Sequence, residues 1–341
     1  METAGPHFPR YRPVKLIVAI ALLGAHQSNL AAAQAEPLVL ESTIILKSVR
    51  GRLDHLAIDP QRQRLYVAEF GNDSVGVVDL KTGSVLQTVG GLREPQGLGY
   101  VRSTDTLYVA NGGDGSVRLL RGADLSSVGR IELGEDADNI VVDRTDQRVY
   151  VGFGTGGIAV IDAARAKKIA EVPLKAHPEN FQPDPRRDLL FVNVPDTHEI
   201  AVIDLAAGRQ TLSWPTRELA SNFPMAMSGD GSELWVAFRS PAEISAYHTQ
   251  TGTPIGTLRT CADADDISLD AKRSWLYVSC GAGEIDVLEW REGQFRALGK
   301  IATRLGARTS LFDPGRDRLY LAVPANLGQP AAIYIYRPAM Q

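Results

Sequence analysis

The sequence predicts an all-β domain: seven four-stranded antiparallel units closed into a ring. Three observations carry that expectation. A short apolar motif with an aromatic in second place recurs seven times, as LYVA, LYVA, VYVG, LFVN, LWVA, LYVS and LYLA. Its aromatics are Tyr66, Tyr108, Tyr150, Phe191, Trp235, Tyr277 and Tyr320, spaced 42, 42, 41, 44, 42 and 43 residues apart. That is the period of a propeller blade. Finally, the array opens on an orphan strand and closes one strand short, so the two ends complement each other.

From the N-terminus, residues 1–35 read as a secretion signal. Arg10, Arg12 and Lys15 precede a ten-residue apolar run at 16–25, too short to span a bilayer of roughly 30 Å as a helix. Ala33-Gln34-Ala35 is an A-x-A cleavage pattern. A retained N-terminal anchor is the alternative. No later apolar run reaches membrane length, so residues 36–341 are expected as one domain, periplasmic or secreted and monomeric. The run LVLESTIILK (38–47) is the orphan strand. It is expected to supply the fourth strand of blade seven.

Each unit then repeats one plan. In blade one, LAID (56–59) is followed by the polar turn PQRQR and the aromatic strand. The turn GNDS, the strand VGVVD, the turn KTG and the strand VLQTV complete it. Short runs of Val, Ile and Tyr bounded by Gly, Asp and Asn are the β signature. A blade has two apolar faces, and packing seven in a ring buries both. Asp59, Asp143, Asp184, Asp270 and Asp313 sit seven residues before the aromatics. They read as turn residues, accepting hydrogen bonds from backbone N–H groups.

The segments YVAEFGNDSVGVVDLKTGSVLQTV and YVANGGDGSVRLL resemble the YVTN-repeat β-propellers, a bacterial and archaeal group common among exported proteins. The resemblance spans residues 38–337. HPENFQ, NFPMAM, CADADDISLD, YVSCGAGEIDV and GARTSLF are similar to one exported bacterial subgroup. It implies the fold and export, and leaves activity open, because such propellers serve as enzymes, ligand binders and scaffolds.

The aromatic also serves as a ruler. Twelve residues before it stand Asp54, Gln96, Asp138, Glu179, Phe223, Asp265 and Arg308; eleven before it stand His55, Gly97, Asn139, Asn180, Pro224, Asp266 and Thr309. First strands line a propeller's channel, so both sets are expected to ring one mouth. The turns between second and third strands should bring Glu69, Asn72, Asp73, Asn111, Asp114, Asp196, His198, Arg239 and Glu284 to the same face. The approach segments add Arg93, His177 and Arg304; His248 should lie on the opposite face.

Converging carboxylates either hold raised pKa values or bind a cation. Oxygen donors with histidine nearby suit calcium or magnesium better than zinc. The alternative is that each acid accepts hydrogen bonds from neighbouring blades in a wet channel. Asp54-His55 and His177 with Glu179 pair imidazole and carboxylate, as a general base or metal ligand would need, or as plain hydrogen-bonding groups. Arg308 is placed either to clamp a ligand carboxylate or to neutralise Asp265 or Asp54. Ser310 has no identifiable base, so a Ser-His-Asp triad is unsupported. GFGTGG (152–157) is followed by no helix and reads as tight turns rather than a phosphate loop.

Cys261 and Cys280 flank the first hairpin of blade six and are expected to form a disulfide; a reduced or metal-binding pair is the alternative. No C-x-x-C-H supports covalent haem. Formal net charge is −4, and because residues 1–35 carry a net +2, residues 36–341 carry −6. That argues against nucleic-acid binding. Two functions remain: a binding or scaffolding propeller that engages a small polar ligand, a cation or a protein at the top face, and a metal-assisted hydrolase or lactonase at the mouth.

Overall fold

The computed structural model describes residues 1–5, 36–326 and 328–339. The chain divides into Met1–Ala35 and Glu36–Gln341. In the first unit residues 1–5 are exposed and without regular structure. The expected signal run and its cleavage site lie outside the described residues.

In the second unit, the described residues form 28 strands in seven four-stranded antiparallel sheets. The architecture is a seven-bladed β-propeller. The first strands of blades one to seven are Leu56–Asp59, Pro95–Val101, Ala137–Val142, Phe181–Asp184, Ala220–Met227, Ala264–Asp270 and Ser310–Asp313. Within a blade the strands pair in sequence order. In blade one, Leu56–Asp59 pairs Arg64–Glu69, which pairs Ser74–Asp79, which pairs Ser84–Val89.

Burial within each blade follows the composition. The aromatic strands are apolar on both faces because each face meets a neighbouring blade, and all seven aromatics are buried. The fourth strands lie at the rim: Ser84–Val89 is exposed along nearly its whole length. The core is therefore not one cluster but seven, each drawn from two adjacent blades.

Ring closure follows the expected route. Leu38–Leu46 pairs antiparallel with Ala331–Pro338, Leu38 opposite Pro338 and Leu46 opposite Ala331. Leu38, Ile44 and Leu46 point inward and are buried. Arg318 on the second strand of blade seven reaches across to Glu41.

The repeated aspartates do close turns. Asp59 accepts the N–H groups of Gln61 and Arg62 at 2.9 and 3.0 Å; Asp143, Asp184, Asp270 and Asp313 do likewise. Four of them also hold the arginine three residues on: Arg62, Arg187, Arg273 and Arg316. Arg62 and Arg273 then fork onto the next blade, gripping Asp105 and Asp317 with both Nη atoms. These clamps tie blade one to two and six to seven on the face opposite the mouth.

One backbone-to-backbone approach is tighter than the others. A Cβ at Gly97 would lie 2.8 Å from the Ile140 backbone nitrogen and nearer still to the Asp138 carbonyl. Blades two and three therefore meet backbone to backbone beside the channel, and only glycine fits there.

Candidate functional site

The first strands begin at the top face, so the residues twelve before each aromatic converge. All seven of them, Asp54, Gln96, Asp138, Glu179, Phe223, Asp265 and Arg308, line one cavity of about 240 Å³. His55, Asn139, Asn180 and His177 share its wall. Asp266 stands just behind, its carboxylate 3.9 Å from His55 Nδ1 and accepting the Ser310 N–H at 2.7 Å.

Several expected rim residues do not join them. Arg304 is held by the Pro324 and Pro330 carbonyls. Glu69 is buried against Ser74. His198 caps a single helical turn with a left-handed backbone (φ 51°) and does not line the cavity. His248 lies with Asp184 and Arg186 on the opposite face, as expected. Two wall residues escaped the sequence reading: Arg52, which pairs with Asp54 at 2.5 Å, and Asp136, which accepts from Gln96 at 3.2 Å. The ruler extended by two positions would have found Arg52, fourteen residues before Tyr66.

The charges pair in three groups. On one side His55 lies between Asp54 and Asp266, its Nε2 3.8 Å from Asp54. On the second, His177 Nδ1 donates to the Gly154 carbonyl at 2.6 Å, fixing the ring's orientation, and its Nε2 faces Asp138 at 3.5 Å. On the third, Arg239 and Arg308 both hold Asp265, and both also contact Asp263 at 3.2 Å. Arg239 stacks 3.6 Å above the Phe223 ring, a cation–π contact that fixes its plane. Of the two roles open to Arg308, neutralising Asp265 is the one its geometry serves.

The Cys261 and Cys280 sulfurs are at disulfide distance, with Cα atoms 5.9 Å apart. Cys280 sits opposite Ala264, and the Gly281 N–H donates to the Asp263 carbonyl at 2.8 Å. The cross-link thus braces the segment that presents Asp263 and Asp265.

Burial pushes the Asp54 carboxyl up to about 6, although His55 and Arg52 pull the other way. Burial likewise raises Asp266 and Glu179 to about 7, with Asp138 adding to the rise at Glu179. For His55 burial opposes the charge, but Asp266, Asp54 and further carboxylates outweigh it and push the imidazole up to about 9. Burial also opposes charge on His177. Its bonds to Asp138 and Gly154 reverse the balance, again to about 9. Both imidazoles are charged at neutral pH, so neither is a base poised for proton abstraction.

Among the described residues no group of three or more His, Cys, Asp or Glu side chains is placed to hold a metal ion. The expected cation site lacks a ligand set because arginines and histidines take up the mouth carboxylates other than Glu179. The hydrolase reading that rested on it is not favoured.

No family model matches the chain, and no curated protein matches its sequence. Solved structures do share its fold. Kuenenia stuttgartiensis hydrazine synthase is 18% identical, over 86% of this chain and 98% of that one, with a TM-score of 0.73. A chain of the mitotic checkpoint complex is 12% identical, over 96% and 99%, at 0.77; the RRP9 WD40 repeats are 9% identical, over 87% and 97%, at 0.76. The fold is shared. At these identities the likeness concerns the fold alone, and with 1787 solved chains matching it, the fold selects no function.

Proposed function

We propose that the chain is an exported propeller of the YVTN-repeat type that binds a small polar ligand in the cavity at the channel mouth. The observation carrying this reading is the convergence of one side chain from each of the seven blades on a single cavity of about 240 Å³. A ring held only by packing has no need of raised carboxyl pKa values and unpaired amides there. The Cys261–Cys280 pair is compatible with an oxidising compartment, and no helix among the described residues is long and apolar enough to cross a membrane.

The test is a thermal-shift and NMR screen of small polar compounds against the full chain and against Asn180→Phe, which fills the cavity. Ligands that shift the wild type and not the variant, whose own midpoint is unchanged, are the expected result. Hits that persist in Asn180→Phe, or no hits, would remove the reading.

A further inference from the structure

The cations of the mouth are already engaged. Arg52 is spent on Asp54, and Arg239 and Arg308 each hold two carboxylates, Asp263 and Asp265. His55 and His177 each face a carboxylate. An anionic ligand would have to displace one of these pairs. Glu179, in contrast, lines the cavity and forms no ion pair among the described residues. Two amides beside it are also unused. Asn180 Oδ1 is buried without a hydrogen-bond partner. The Asn139 side chain, 7% exposed and on the same wall, makes no hydrogen bond among the described residues. A buried acceptor left as the Asn180 Oδ1 is stays costly until a donor arrives.

We infer that the mouth cavity takes a small organic cation, a protonated amine or guanidinium, with its charge on Glu179 and its N–H groups on the side-chain oxygens of Asn139 and Asn180. The size fits: at about 30 Å³ per water, 240 Å³ holds roughly eight waters or a ligand of similar bulk. The electrostatics agree. Burial first, and then Asp138 and Asp265, raise the Glu179 carboxyl to about 7 against the opposing pull of His177 and Arg239, so negative charge there is under-compensated. An incoming cation supplies the missing compensation and expels the Glu179 proton. This inference rests on the reading of the mouth as a ligand site.

Isothermal calorimetry of the full chain with n-butylammonium, butylguanidinium, butanol and butyrate tests it. Both cations should bind, and butanol and butyrate should bind at least tenfold more weakly. Cation affinity should fall by about tenfold per pH unit below pH 7, because each binding event must then release a proton. Glu179→Gln, checked for an unchanged thermal midpoint, should weaken cation binding at least tenfold and remove that slope; the wild-type pH profile stands without the variant. Equal binding of butanol or butyrate overturns the inference, as does failure of both cations to bind or full affinity in Glu179→Gln. The reading of the mouth as a ligand site falls separately, only if the wider screen finds no compound that shifts the wild type or its hits persist in Asn180→Phe.

Discussion

His55 and His177 hold protons that an exposed imidazole would lose. Their folded pKa values of about 9 lie above the ordinary 6.5. Their contribution to stability is therefore full below pH 6.5 and lost as pH rises through 9. The raised carboxyls of Asp54, Glu179 and Asp266 act in the same direction at lower pH, losing stability as pH rises from about 4 through 7. The thermal midpoint should therefore fall between pH 6.5 and 9.5, by roughly 3–5 °C once partial exposure and coupling are allowed for. His55→Gln with His177→Gln should flatten that fall; calorimetry across the pH range checks it, and an equal fall in the double variant would place the titration elsewhere. Gly97 is a second sensitive residue. Gly97→Ala sets a Cβ against the Asp138 and Ile140 backbone, an overpacking that costs about 1–3 kcal/mol. Urea unfolding would measure it, and an unchanged midpoint would mean that blades two and three part without penalty.

At the level of the element, the first hairpin of blade six couples stability to the mouth. The Cys261–Cys280 cross-link closes a loop whose ends are 19 residues apart, worth about 3 kcal/mol in the chain-entropy model. Cys261→Ser with Cys280→Ser should lower stability by about that amount. It should also speed amide exchange around Asp263 and Asp265, where Arg239 and Arg308 are anchored. Uniform exchange in both proteins would separate the cross-link from the mouth. The hairpin also shows what could be read from sequence and what could not. The sequence places Asp265 and Asp266 at the mouth because a 42-residue repeat makes positions equivalent: one ruler from Tyr277 does for blade six what it does for blade one. Partners were not legible. That Arg239, from the second strand of blade five, would share Asp263 and Asp265 with Arg308 depends on how far two side chains reach between blades. The repeat does not encode that distance. The forks of Arg62 onto Asp105 and of Arg273 onto Asp317 were hidden for the same reason, since the period marks the turn aspartate but not the next blade's acceptor. The acidic mouth inferred from ring positions alone became a mixed-charge cavity once Arg52 and Arg239 were in place.

For the whole molecule, stability is a property of the closed ring. Each apolar cluster is shared by two blades, so an open ring leaves two blade faces in water. The closing strand Leu38–Leu46 adds the outer hydrogen-bonded edge of blade seven and buries Leu38, Ile44 and Leu46. Leu38 packs in the cluster between blades six and seven, and Ile44 and Leu46 in the one between seven and one. The strand thus seals both flanks of the last blade. Three buried aliphatic side chains are worth about 2 kcal/mol each, roughly 6 kcal/mol together. That is comparable with the whole net stability of an ordinary domain, about 5–15 kcal/mol. Removing residues 36–47 should therefore lower the thermal midpoint by more than about 10 °C or abolish a single cooperative transition. The loss should extend beyond blade seven, because blade one loses its partner face at Leu56, Leu65 and Val67. Adding the 36–47 segment back as a synthetic peptide should raise the midpoint with the logarithm of its concentration above Kd, since a strand that binds only the folded ring stabilises it by mass action. A truncated chain that unfolds at the wild-type temperature, or that ignores the peptide, would mean that the ring closes through blade faces alone.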